Sequence, residues 1–232
     1  MWHSYAHSAV GSARLFNALK PATLAAFERG QLSDNEFENI VSKLLSVGIW
    51  HQRGEAPEYN LTSAEIRRAL TIGPSSARRN AAWNLWRHMG DAEGKPADKA
   101  TRWRDVIGPL FRNIWPLDVR LRSENTARNL VLMAQDCEEA FPEAVEAILD
   151  LIVPYKLYSI SISLKLEDKH SELLRQYPLA FVKLANALID PALFPVPNDL
   201  AGFLQECVAA NPAVADDPAY VRLYGLRRQR NA

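Results

Sequence analysis

The stretch that most constrains this chain is Thr101 to Pro116, TRWRDVIGPLFRNIWP. Its apolar residues Trp103, Val106, Ile107, Leu110, Phe111, Ile114 and Trp115 recur in steps of three and four, while Arg102, Arg104, Asp105, Arg112 and Asn113 fall between them. That rhythm places all seven on one stripe of a helix, and a stripe with two tryptophans and a phenylalanine must be buried, so it predicts a core helix. Pro109 lacks a backbone donor and crowds the carbonyl four residues earlier. A kink near Asp105 is therefore expected, eased by Gly108, with Pro116 ending the helix.

The same period recurs elsewhere. Residues 2 to 19 read as a first helix through Leu15, Phe16 and Leu19, and Pro21 suits the first turn of a second one that reaches Phe27 and closes at Gly30. Ser33 with Glu36 three residues on is a capping box, and Phe37, Ile40, Val41, Leu44 and Leu45 follow on one face. Residues 51 to 60 read as a loop. Thr62 or Ser63 to Leu70 and Pro74 to Met89 form a helix pair joined by Thr71, Ile72 and Gly73. Helical stripes continue at 124 to 137, at 142 to 152, around Phe181 to Leu188, around Leu200 to Cys207 and around Tyr220 to Leu226, with prolines as spacers.

One segment departs from this pattern. Tyr158, Ile160, Ile162, Leu164 and Leu166 alternate with polar residues as in a strand, but no second convincing strand exists to pair with it. It is either an extended packed connection or a helix imposed by its surroundings. The expected class is all-α, an irregular helical bundle or a HEAT-like stack of helical hairpins. The polar run 91 to 99 suggests a boundary between an N-terminal part, 1–90, and a C-terminal part, 91–232, with a single domain as the alternative.

Composition narrows the functional classes. Of 232 residues 48% are hydrophobic, enough for a packed core, and 27 basic residues balance 27 acidic ones, so no global charge favours a polyanion or a membrane surface. No run approaches the roughly 18 apolar residues of a membrane span, and the N-terminus lacks a signal peptide's features. Cys137 and Cys207 lie on apolar helical faces, which suits a reducing, cytoplasmic setting. Because Trp2, Tyr5, Ala9 and Val10 start a helical pattern at once, we expect the chain to be a piece of a longer protein.

The motifs of catalysis are missing from the sequence. The five histidines are scattered; only His3 and His7 share a helical face, and packing or surface roles explain them better than a metal does. GPSSA at 73 to 77 supplies a serine without the second glycine of a nucleophile elbow, and no phosphate loop or dinucleotide fingerprint occurs. Glu138, Glu139, Glu143, Glu146 and Asp150 read as the wet face of two helices. The expectation is a protein without catalytic residues, cofactor or metal.

Two stretches carry binding chemistry. LTSAEIRRALTIGPSSARR, residues 61 to 79, resembles a helix-turn-helix: Ile66, Leu70 and Ile72 would anchor it inward, and Arg67, Arg68, Ser75, Ser76, Arg78, Arg79 and Asn80 would reach phosphates and base edges. A tight helix pair is equally at home in any all-helical protein. In the second helix Trp83 lies out of phase with Ala82, Leu85, Trp86 and Met89, so either helices pack on both sides of it or a partner covers it. With Arg79 and Arg87 one turn away on either side, Trp83 is the favoured protein interface, with a partner protein or the rest of a larger chain as its occupant; nucleic acid on 61 to 79 is the alternative.

The runs WRDVIGPLFRNIWPLD and FPEAVEAILDLIVP resemble the C-terminal helical regions of large bacterial defence proteins whose other end is a sirtuin-like or nucleotide-binding effector. The likeness covers mainly residues 80 to 228. It implies a sensing, scaffolding or assembly role, and carries no catalytic residue over, since the effector motifs are absent from this sequence.

Overall fold

The computed structural model describes residues 12–54, 58–59, 61–92, 95–96, 98–166 and 170–230. Residues 2 to 11 of the expected first helix, with His3 and His7, lie outside them. The chain is all-α, and it divides into two compact units, Met1–Met133 and Ala134–Ala232.

In the first unit α1 (Ala13–Glu28) is one helix where the sequence suggested two. Pro21 sits inside it, and the Thr23 hydroxyl donates to the Leu19 carbonyl at 2.9 Å. The helix ends as expected at Gly30, whose φ of +68° only glycine adopts freely. Gly30 N–H reaches the Phe27 carbonyl and Gln31 N–H the Ala26 carbonyl, the bonding of a Schellman motif. Helix α2 (Asp34–Gln52) starts at the Ser33–Glu36 capping box, with both reciprocal bonds formed, and buries Phe37, Ile40, Val41, Leu44 and Leu45.

Helices α3 (Ser63–Ile72) and α4 (Ser75–Gly90) form the expected pair. Both pack on α2. Asn80 of α4 donates to the Glu38 carboxylate, and Asn84 to the Ser42 hydroxyl at 2.9 Å; the two registers rise together, so α4 runs parallel to α2. Gly73 makes the turn possible, because a Cβ there would stand 2.6 Å from the Phe37 ring. Asp91–Ala92 and Lys95–Pro96 then pair as a two-residue antiparallel ladder. This run stays inside the first unit, because the helices on either side of it pack together. The division into compact units falls after Met133.

The central stripe folds as α5 (Lys99–Arg102), a π-helical turn (Trp103–Ile107) and α6 (Gly108–Ile114). Trp103, Ile107, Leu110, Phe111, Ile114 and Trp115 are all buried. The expected irregularity before Pro109 is this π turn: Gly108 N–H bonds back to the Trp103 carbonyl, five residues away, and the widened turn accommodates the proline. A Cβ on Gly108 would lie 2.7 Å from that same carbonyl oxygen, so glycine is needed where the backbone tightens again. A 3₁₀ turn (Val119–Leu121) leads to α7 (Glu124–Gln135).

In the second unit α8 (Phe141–Ile148), α12 (Leu200–Ala210) and α13 (Pro218–Arg230) surround α11 (Pro178–Leu188), with Phe181 against Phe141 at 4.6 Å between ring centres. Phe181, Leu184, Ala185 and Leu188 are buried, as their stripe required. The alternating segment becomes a short helix, α9 (Ile160–Ser163), followed by a turn. Its surroundings impose it. The Asp199 carboxylate accepts from the backbone N–H groups of Ile160 and Ser161, each at 2.9 Å, and from the Ser159 hydroxyl at 2.6 Å. Gln135 closes the other end by donating to the Leu164 carbonyl at 2.6 Å. α10 (Ser171–Gln176) precedes α11.

Candidate protein-interaction surface

Helix α4 has two chemically different sides. Ala77, Ala81, Ala82, Leu85 and Met89 are buried against the unit's core, while Ser75, Arg79, Trp83 and Arg87 are exposed. A spacing of four puts these last residues in one solvent-facing row, each step rising about 6 Å. Trp83 stays 42% exposed, although its ring meets Trp86 edge-on at 4.6 Å. An indole is costly to leave in water, and here intrachain packing covers only part of it. Neither the Arg79 nor the Arg87 guanidinium forms a hydrogen bond or ion pair among the residues whose side chains are described.

Arg78, the immediate neighbour of Arg79, behaves in the opposite way. It is 6% exposed, and its guanidinium donates to the carbonyls of Leu70 at 2.8 Å, Gly73 at 2.7 Å and Leu121 at 3.0 Å. The first two are carbonyls at the end of α3 that the helix itself cannot satisfy. Burial lowers the Arg78 pKa from its ordinary value. Arg78 is thus a structural plug for the α3–α4 turn, which corrects its assignment as a group free to meet phosphates. Its signal in the sequence was slight: an arginine one turn into a helix that follows a Gly-Pro corner.

Much of the remaining nucleic-acid set is likewise engaged within the chain. Arg67 donates to the Asn113 carbonyl, Arg68 pairs with Glu28 at 2.6 Å, and Asn80 holds Glu38. The Arg79 backbone carbonyl accepts from Asn129 at 3.0 Å, which fixes the helix while leaving the side chain outward. Ser75 is exposed and Ser76 half-buried at the start of α4.

At the far end of α4 three arginines from separate segments stand near His88. Burial first, then the charges of Arg53, Arg102 and Arg87, hold the His88 imidazole below its ordinary pKa of 6.5. Arg102 also donates to the His88 carbonyl at 2.9 Å. Elsewhere the chemistry is quiet. Cys207 is buried and its thiol pKa is pushed up to about 12, so it stays protonated and unreactive. Among the described residues no group of three His, Cys, Asp or Glu side chains could hold a metal, and no helix is long and apolar enough to cross a membrane.

Comparison with known proteins adds one relative. The chain is 32% identical over 135 residues to an uncharacterized protein, y4cA, of Sinorhizobium fredii; the match covers 58% of this chain and 11% of that protein. No family model matches, and no solved structure matches.

Proposed function

We propose that this chain is a non-catalytic helical interaction module and that the exposed row of α4 makes its contact. The observation that carries the reading is Trp83, half out of its own core between two arginines that have no partner among the described side chains. Tryptophan and arginine are the residues most often found at the energetic centre of protein interfaces. The role we assign is the sensing, scaffolding or assembly part of a larger bacterial protein of the defence type. In support, y4cA is a bacterial protein of which the match covers only a small fraction, and the IWP and FPEAV stretches carry the likeness to defence proteins.

The nucleic-acid alternative has less support, because Arg78 and Asn80 are spent inside the fold and Arg68 is paired with Glu28. The test is capture of binding partners with the wild-type chain and with Trp83→Ala. A partner lost with the variant supports the surface, provided thermal melting shows the fold intact. A partner retained at full strength removes Trp83 from the interface and overturns the reading.

A further inference from the structure

The charges on α4 also specify the chemistry of its occupant. We propose that the row Arg79–Trp83–Arg87 receives an acidic polypeptide segment, in which two carboxylates flank an apolar or aromatic anchor. This rests on the reading of α4 as the contact surface and adds the nature of the partner.

Eight residues of helix separate Arg79 from Arg87, a rise of about 12 Å at about 1.5 Å per residue. Both guanidinium groups are exposed and lack a carboxylate partner among the described side chains, so the row offers two cations with an apolar plate midway between them. Charge complementarity therefore calls for an anion at each end and an apolar group in the middle. In a helical partner the carboxylates would stand about eight residues apart, and in an extended one about four, at about 3.3 Å per residue. Planar guanidinium groups bind carboxylates through two parallel hydrogen bonds, which fixes the register of the segment along α4.

A nucleic-acid strand fits the same row less well. Two arginines neutralise only about two phosphates, whereas binding that rests on the backbone draws on about six to ten. In a peptide complex the energy comes chiefly from covering Trp83, and the two ion pairs set orientation.

The experiment is selection of random displayed peptides on the full chain at physiological salt. Binders are then measured on Trp83→Ala and on the double variant Arg79→Glu/Arg87→Glu, with melting curves to confirm that both variants fold. A mixed-sequence single-stranded oligonucleotide is titrated in parallel. The expected binders are rich in Asp and Glu around an apolar residue, weaken at least about tenfold on Trp83→Ala, and give way to Lys- and Arg-rich sequences when selection is repeated on the double variant. Binders that need Trp83 but carry no excess of carboxylates overturn the acidic partner while leaving α4 as the docking surface. If no selected peptide depends on Trp83, both readings fall. An oligonucleotide whose binding is lost in the double variant, with no acidic peptides selected, overturns the proposal in favour of nucleic acid.

Discussion

Among the described residues large apolar side chains are exposed in several segments, and two of these differ in what surrounds them. On α4, Trp83 lies between arginines that have no partner among the described side chains. Near α9, Tyr158 and Ile162 are 75% and 70% exposed, more than Trp83, yet the neighbouring cation is already used: the Lys156 ammonium sits over the Tyr158 ring at 4.6 Å. The backbone there is satisfied too, through Asp199. Exposure alone therefore does not mark an interface, since single exposed apolar residues are common on any surface. What distinguishes α4, in the contact we propose, is an apolar group beside charge with no partner among the described side chains.

The sharpest way to break this contrast is to remove the residues that hold each region in place. Phe111→Ala should cost about 3 to 5 kcal/mol by emptying the core on which the first unit is built; a melting temperature close to wild type would refute the central stripe as its core. Arg78→Ala comes next. It strands three carbonyls and should cost about 3 kcal/mol, at roughly 1 to 3 kcal/mol for each buried group left unpaired. Arg79→Ala, one residue on, should change stability by less than about 0.5 kcal/mol. Equal losses in denaturant titrations of the two variants would show that Arg78 is not the plug described.

In the second unit Asp199→Ala removes the cap of α9 and should cost about 1 to 2 kcal/mol. Faster amide exchange at Ile160 and Ser161 should accompany it, and unchanged exchange there would mean that Asp199 does not hold the segment. The smallest effect concerns His88. Its folded pKa lies below 6.5, so just below that pH the unfolded chain binds more protons than the folded one. Stability should therefore fall as pH drops below 6.5 and stop falling, as far as this residue is concerned, below the folded pKa. Comparing urea midpoints across that window, His88→Gln should remove this part of the acid loss; an identical slope in both proteins would contradict the lowered pKa of the buried imidazole.

Where local rules act, sequence and structure agree closely. The Ser33–Glu36 box, the closing Gly30, the paired helices and the Trp103 to Trp115 stripe all depend on residues within a few positions of one another. The disagreements come from partners far away in the chain. Alternation at 158 to 166 reads as a strand until Asp199, about 40 residues later, supplies acceptors for a helix start. Pro21 reads as a helix start because it often is one, but the stripe on both sides of it belongs to one helix. Arg78 and Arg79 are identical letters side by side, and only the position of the α3 end and of the Leu121 carbonyl separates the plug from the surface group. The exposure of Trp83 was legible as a phase mismatch. The absence of ion pairs at Arg79 and Arg87 among the described side chains was not, since any acidic residue in the chain could have reached them.

The central claim is that unspent charge, not exposure, makes Trp83 a contact residue. It is tested most directly by titrating one selected acidic peptide against the wild-type chain, Trp83→Ala and Tyr158→Ala. The account predicts at least about tenfold weaker binding with Trp83→Ala, a loss of about 1.4 kcal/mol or more, and no change with Tyr158→Ala. Equal weakening by both substitutions, or full affinity without Trp83, would contradict it.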